Sequence, residues 1–401
     1  PSIQLLFAMM FAGQLGTMIY LPGMPDIARD LDTSMSAVQS MVATYLAAFA
    51  FAQLVMGPLS DRFGRRPVIL VGLAVFAVAS IVCATAPDIT TLLWARVFQA
   101  TGACATMVVG RAMIRDTSEG VAAAQAMAWL AIAIGIGPAV SPFLGGFIVH
   151  YLGWQASFIA IALINTVVIV WVLVSLEETL PPELRLPPRA NQLMVTYVRL
   201  LRNPEFFGYS MIVAFASGAM QAYLTSVPIV FIILMDVPPM LFGVYIGMMP
   251  TIYIIGSYVS RRLSFHMSID TIVIIGITLS AAGGLLQVVL GIWGVTTPPP
   301  VLFAFAISNF GTGLVLSIGY AQALNTVTPQ LAGQASALSG FLHMGWGALL
   351  SIVVAQLHHT SSLQLGLAQM TTTWAGAATA LYLVLVVRRR RRGQGGPDGQ
   401  V

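Results

Sequence analysis

The chain has 401 residues, 58% hydrophobic and 8% charged, with a mean hydropathy of +0.87; a soluble globular domain carries about a quarter charged residues, so that class is excluded. The composition is that of an all-α polytopic membrane protein. The formal charge is +4, and all 18 basic residues are arginine with no aromatic interleaving, which gives no reason to expect nucleic acid as a partner.

From the N-terminus, apolar runs long enough to cross about 30 Å of hydrocarbon recur at residues 3–24, 36–57, 68–86, 90–113, 123–147, 155–176, 206–230, 239–259, 269–291, 300–321, 334–357 and 364–387. These are twelve predicted membrane helices, the first expected to be retained and not cleaved as a signal. An even count places both termini on one side. Alternate loops hold 16 of the arginines against Arg29 alone on the other side, so both termini are expected in the cytoplasm. Cys83 and Cys104 fall inside apolar runs and are read as packing residues. The residues suggest no metal site, cofactor or enzymatic constellation.

Between the second and third runs lies GPLSDRFGRRP, Gly57 to Pro67, which places Asp61, Arg62, Arg65 and Arg66 in eleven residues. Charges are costly in hydrocarbon, so this cluster marks a turn outside the bilayer. Asp61 can accept from helix N-terminal N–H groups or pair with arginine, Gly57 and Gly64 permit close approach and tight turning, and Pro67 suits a first helical turn. The longest polar interruption, Glu177 to Glu205, divides the chain into halves 1–176 and 206–387. Within this linker, 177–205, a Pro-rich stretch precedes Asn191 to Leu201, whose Leu193, Tyr197, Leu200 and Leu201 have the spacing of a surface amphipathic helix. Gly256-x-x-x-Ser260-Arg261 repeats Gly57-x-x-x-Asp61-Arg62 at an offset of 199 residues, in the same place within its half. The tail 388–401 opens with Arg388 to Arg392, expected to anchor topology beside anionic lipid, and then reads as disordered.

The Gly57 to Arg66 pattern resembles the signature loop of the major facilitator superfamily. The fifth run carries GIGPAVSPFLGG, with Gly135, Gly137, Pro138, Pro142, Gly145 and Gly146, and resembles the antiporter motif of that superfamily's exporters. Arg96-x-x-Gln99-x-x-Gly102, RAMIRDT from Arg111, IYLPGMP from Ile19 and ASALSGFLHMGWGAL in the eleventh run resemble the bicyclomycin and chloramphenicol resistance group of drug/proton antiporters. The resemblance implies two pseudo-symmetric six-helix halves that rock about a central site near the midplane, in a bacterial inner membrane, with a small lipophilic substrate, protons as coupling ion and a monomeric chain. It further implies that Asp61 caps the eleventh helix across the halves when the protein is open outward, while Arg65 pairs with Asp116. The plainer reading of that loop is topology alone.

Where the group usually has Asp, this chain has Met18, and all 14 acids fall at predicted helix ends or in loops. Proton carriage must therefore be sought elsewhere. His343, roughly 13 to 14 Å into the eleventh helix at about 1.5 Å per residue, is either a titrating switch or a neutral histidine bonded to a neighbouring helix. Asp26, just beyond the first helix, is a second candidate or an exposed loop acid. Arg96 either faces inward beside the transport path or snorkels to the interface beside Asp88. The expected cavity lining is Gln14, Thr17, Met18 and Tyr20 from the first run, Tyr245, Met249 and Tyr253 from the eighth, Asn309 and Trp346, with ordinary packing as the alternative for the Tyr and Met stripe. Such a pocket suits neutral or weakly charged lipophilic compounds. A metabolite exporter, an uncoupled facilitator and a non-transporting membrane sensor are the alternatives.

Overall fold

The computed structural model describes residues 2–118, 120–185, 190–328, 331–357 and 363–382. Arg189, the end of the twelfth predicted run and the whole tail from Arg388 lie outside these residues. Among the described residues there is no strand. The helices are α1 Ile3–Met18, α2 Met24–Asp30, α3 Met35–Phe63, α4 Arg65–Ala84, α5 Ile89–Thr117, α6 Gly120–Leu152 and α7 Trp154–Ser175 in the first half. A linker helix α8, Ala190–Arg202, follows; then come α9 Pro204–Pro228, α10 Pro239–Leu263, α11 Ile269–Ile292, α12 Pro298–Asn325, α13 Ala332–Ala355 and α14 Leu363–Tyr382.

Local chemistry sets the ends of these helices. Ser34, Asp88, Asn203 and Ser268 each accept a hydrogen bond from a first-turn N–H, satisfying donors that a helix start leaves without partners. Gly64, at φ +96°, makes the sharp turn from α3 to α4, and Gly153, at φ +81°, does the same between α6 and α7. Two helices depart from the predicted runs at proline. The first run, expected as one helix over 3–24, stops at Met18, makes a tight turn over Leu21–Gly23 and resumes as α2. Pro22 and Pro25 lack the N–H that a continuous helix would need. After Pro228 the chain continues from α9 as a wider π-helical turn, Ile229–Leu234.

Eleven spans among the described residues are long and apolar enough to cross a membrane. The twelfth, α14, carries the polar run Thr371, Thr372 and Thr373, and its place follows from packing. In the first half α4 packs on α5 and α7, α3 on α5, and α1 on α6; in the second, α11 packs on α12 and α14, α10 on α12, and α9 on α13. The neighbours repeat helix for helix, and α14 stands where α7 stands. The halves meet along two long seams, α3 against α13 and α6 against α10. Large apolar side chains such as Phe51, Trp94, Val167, Val174 and Phe303 are exposed on the outside of the bundle, as a lipid-facing surface requires.

The α3–α4 turn, the C-terminal end of α5 and α8 share one end of the bundle, called here the basic end. Leu200 of α8 is buried with Phe206, Tyr209 and Leu338, while Met194, Val195, Val198 and Leu201 are exposed. Tyr197 donates to the Leu54 carbonyl at 3.5 Å, and its burial raises the pKa of the phenol.

Candidate functional site

At the basic end the α3–α4 turn is tied into a network centred on Arg65. Its Nε donates to Asp116 Oδ2 at 2.9 Å, and its Nη1 donates to Ser60 Oγ at 2.7 Å and Asp61 Oδ1 at 2.5 Å. Thr179 Oγ1 donates to the same Asp116 oxygen at 3.3 Å. Glu178 accepts from the backbone N–H groups of Arg65, Arg66, Thr179 and Leu180 at 2.9 to 3.3 Å, and so caps the positive end of α4. A Cβ at Gly64 would overlap the Glu178 carboxylate, a second reason for glycine there. Arg66 donates to the Leu173 carbonyl at 2.9 Å, and Arg62 lies 5.0 Å above the Phe63 ring. Glu178 is the member that sequence reasoning missed. Its signal was the acidic pair Glu177–Glu178 at the foot of the sixth span, one helix end away from the loop.

In this structure Asp61 does not cap the eleventh span, α13, a contact that the resemblance places in the outward-open form. Its partner among the described residues is Arg65, four residues on across the Gly64 turn, and the Asp61 side chain is half exposed. At this end Arg115 approaches the second half, where its guanidinium would lie 3.4 Å from a Cβ on Gly333.

In the interior of the first half Arg96 is 0% exposed. Its Nη1 donates to the Gly16 carbonyl at 2.8 Å and to Gln99 Oε1 at 2.5 Å; Gln99 in turn donates to Ser80 Oγ at 2.8 Å. The Tyr20 and Tyr45 rings sit 4.4 and 4.2 Å from the guanidinium carbon, stabilising the cation through their π faces. Arg96 Nε and Nη2 and both phenol oxygens have no hydrogen-bond partner among the described residues, and no carboxylate is within ion-pair distance. Arg96 therefore faces inward and does not snorkel. Asp88, the proposed interfacial neighbour, instead caps α5; the Thr91 N–H, donating at 2.8 Å, holds its carboxyl below the ordinary value.

Other expected residues are placed differently by packing. Tyr20 is fully buried, stacked 5.8 Å from Phe158 beneath Arg96, and so belongs to the core and not to a cavity wall. Met18 is buried beside it. Asn309 donates to the Met249 carbonyl at 2.8 Å, which makes this buried pair a tie between α12 and α10. Tyr245 and Tyr253 remain half-buried above and below Met249. Trp346 is half-buried, edge-on to Phe215 at 4.9 Å, and its indole N–H has no hydrogen-bond partner among the described residues. Gln14 lies against Met107, and Thr17 donates to the Gln14 carbonyl at 2.6 Å; both side chains are half-buried. His343 is half-buried in α13 with no hydrogen bond among the described residues, and a Cβ on nearby Gly345 would meet open space. Asp26 is not in a loop: it lies on α2, paired with the exposed Arg29 at 2.9 Å.

The glycine and proline run of α6 serves two seams at once. Gly137 and Gly145 lie against α1, at Gln14 and the Ile19 carbonyl. On the other face, Gly135 lies against Ile254, the Pro142 carbonyl against Gly243, and Gly146 against the Pro239 carbonyl of α10. Pro138 and Pro142 remove two N–H donors from α6 without ending it.

The family profile described as Major Facilitator Superfamily matches residues 6–352. The chain belongs to the Major Facilitator Superfamily. Its superfamily relatives include the uncharacterized MFS-type transporter YdgK of Bacillus subtilis, 31% identical over 91% of this chain and 90% of the relative. The bicyclomycin resistance protein homolog of Haemophilus influenzae is 29% identical over 85% of each chain, and multidrug resistance protein D of Escherichia coli 28% over 97% of each. Among solved structures, a peptide transporter POT in complex with alafosfalin superposes at a TM-score of 0.76, covering 97% of this chain and 95% of that one at 13% identity. A bacterial homologue of the lysosomal transporter Spinster, inward-facing and occupied, gives 0.71 at 15% identity and covers 98% and 97%. At those identities the likeness is one of fold. The chain is thus a multi-pass membrane transporter and not an enzyme.

Proposed function

We propose that this protein exports lipophilic neutral or weakly charged compounds, antibiotics among them, from a bacterial cytoplasm in exchange for protons, by alternating access. The observation that carries the reading is the repeated packing: two halves with matching neighbours meet along two seams, one of which, α6 against α10, closes on glycines and backbone, the arrangement that allows one half to rock against the other. The names of the relatives, bicyclomycin resistance and multidrug resistance, support drugs as cargo. Arg96, buried without a carboxylate, supports the charge preference, because a fixed interior cation repels a cationic substrate. The basic end, with its arginines, is assigned to the cytoplasm together with both termini, and a central site within one chain is consistent with a monomer. The Arg65 network then belongs to the cytoplasmic gate, with Asp61 free to exchange partners as the halves move.

His343 is the proposed proton carrier ahead of Asp26, which is held in a surface ion pair. The shortage of interior acids also favours a second reading, an uncoupled facilitator. Internal pH in sealed liposomes tests both: addition of a chloramphenicol-like neutral drug under an imposed proton gradient should move protons in the coupled case. Drug flux without proton movement establishes the facilitator. His343→Ala should abolish the pH dependence of export, and unchanged proton flux in that variant removes His343 from the pathway.

A further inference from the structure

The repeat of the signature loop leads to a site in the second half. Between α10, α11 and α12 at the basic end lies a groove of about 380 Å³, lined in part by Arg261, Ser264, Ser317, Gln322 and Asn325. Beside it a smaller hollow of about 250 Å³ is formed by Tyr258, Arg261, Arg262 and Phe265. Arg261 borders both.

By the 199-residue repeat Arg261 stands where Arg62 stands and Ser264 where Arg65 stands; Arg62, over the Phe63 ring, has no carboxylate partner among the described residues either, and what the halves do not share is the acids around the turn. In the first half Arg65 is neutralised by Asp61 and Asp116, and Glu178 caps the turn. In the second, Ser260 stands where Asp61 stands, and its hydroxyl is turned inward to the Leu314 carbonyl at 2.8 Å. The counterpart of α5 is α12, which holds no acid and ends in Gln322 and Asn325. Among the described residues the Arg261 guanidinium has neither a hydrogen bond nor an ion pair, and the Arg262 guanidinium is held only by Tyr258, to whose hydroxyl it donates at 3.1 Å. Asp270, next to the groove residue Ile269, accepts from Tyr209 and does not line the groove. Tyr258 and Phe265, 56% and 75% exposed, put aromatic surface at the rim, where side chains with one apolar and one polar face sit at a membrane boundary.

We propose that this groove binds the headgroup of an anionic phospholipid, with the phosphodiester on Arg261 and Arg262, the glycerol among Ser317, Gln322 and Asn325, and the acyl chains running back along α10 over the exposed Tyr258, Ile255 and Ile254. A groove with two unneutralised guanidinium groups and no carboxylate complements a phosphodiester, and its place at the end of the bundle matches the depth of a headgroup.

Native mass spectrometry of the delipidated full chain in detergent, titrated with phosphatidylglycerol, phosphatidylethanolamine or inorganic phosphate, tests this. Phosphatidylglycerol should bind in preference to phosphatidylethanolamine, and millimolar inorganic phosphate should not displace it. Arg261→Gln and Arg262→Gln should each weaken phosphatidylglycerol binding about fivefold. The double variant Arg261→Gln/Arg262→Gln should lose preferential binding, whereas Arg199→Gln/Arg202→Gln, which removes the same charge from α8, should leave binding within about twofold of the unaltered chain. Ala321→Phe fills the groove from an exposed position and keeps every charge; it should also abolish preferential binding, and it stands in for either arginine variant that fails to fold. Equal losses in the α8 and α10 double variants would overturn the site in favour of diffuse surface charge. Equal binding of phosphatidylethanolamine, or displacement by phosphate alone, would overturn the lipid assignment.

Discussion

Asp61 and Asp116 both meet Arg65, yet their removal should have opposite effects on folding and turnover. The Arg65 side chain is 8% exposed, Asp116 21% and Asp61 52%. A half-exposed ion pair contributes about 0.2 to 1 kcal/mol, so Asp61→Asn should cost about 0.5 kcal/mol. The Asp116 pair lies between that and the roughly 3 to 5 kcal/mol lost when a fully buried pair is broken, so Asp116→Asn should cost about 2 kcal/mol. Arg65→Gln should cost the most, since it leaves both acids and Ser60 without the cation. Turnover should follow a different order. If Asp61 exchanges Arg65 for α13 during the cycle, Asp61→Asn lowers export at least about tenfold, the equivalent of about 1.4 kcal/mol in a gating step. The assay is an unfolding curve in detergent paired with export from proteoliposomes containing matched amounts of protein. An Asp61→Asn variant as unstable as Asp116→Asn would refute the exposure reasoning, and normal export by a normally folded Asp61→Asn protein would refute the gate.

The α6–α10 seam makes a second prediction: a side chain at Gly243 would drive into the Pro142 carbonyl, which cannot rotate away. Gly243→Val should therefore separate α6 from α10, seen as a longer spin-label distance between them, and abolish export while the protein still inserts; an unchanged distance would show that the seam is slack. Arg96→Gln should increase transport of lipophilic cations about tenfold relative to neutral drugs, from a unit charge about 10 Å away at an effective dielectric of about 20. An unchanged ratio measured in liposomes would place the substrate path away from Arg96. For Asp88, the folded-state carboxyl is held below the ordinary carboxylate range by the Thr91 N–H. Its stabilising effect is therefore complete above that range and fades as pH falls through the lowered value. Asp88→Ala should be less stable than the unaltered chain near neutrality, with the two unfolding midpoints converging in acid; a gap independent of pH would mean that the cap does not depend on charge.

The twelve spans, the signature turn and the repeat across the linker were legible because each follows from the one-dimensional cost of placing charge or backbone in hydrocarbon. Gly57 to Pro67 shows this: the cluster had to lie outside the bilayer whatever its partners were. The Arg65–Asp116 pairing came through resemblance, and the structure holds the two at 2.9 Å. The breaks after Met18 and Pro228 were less legible, although Pro22, Pro25 and Pro228 stood in plain view. Proline marks where a helix can fail, while neighbouring packing decides whether it does.

Composition and hydropathy along the chain by themselves determined that it is an all-helical membrane protein, where it crosses, and which loops collect the arginines. The tertiary structure decided which charges meet. It turned Asp61 to Arg65, brought Glu178 under α4 from the far end of the first half, buried Arg96 between two tyrosines, and split the glycines of α6 between α1 and α10. Hydrophobic partition acts on each segment almost independently, whereas an ion pair or a close backbone contact exists only when segments distant in the chain arrive together.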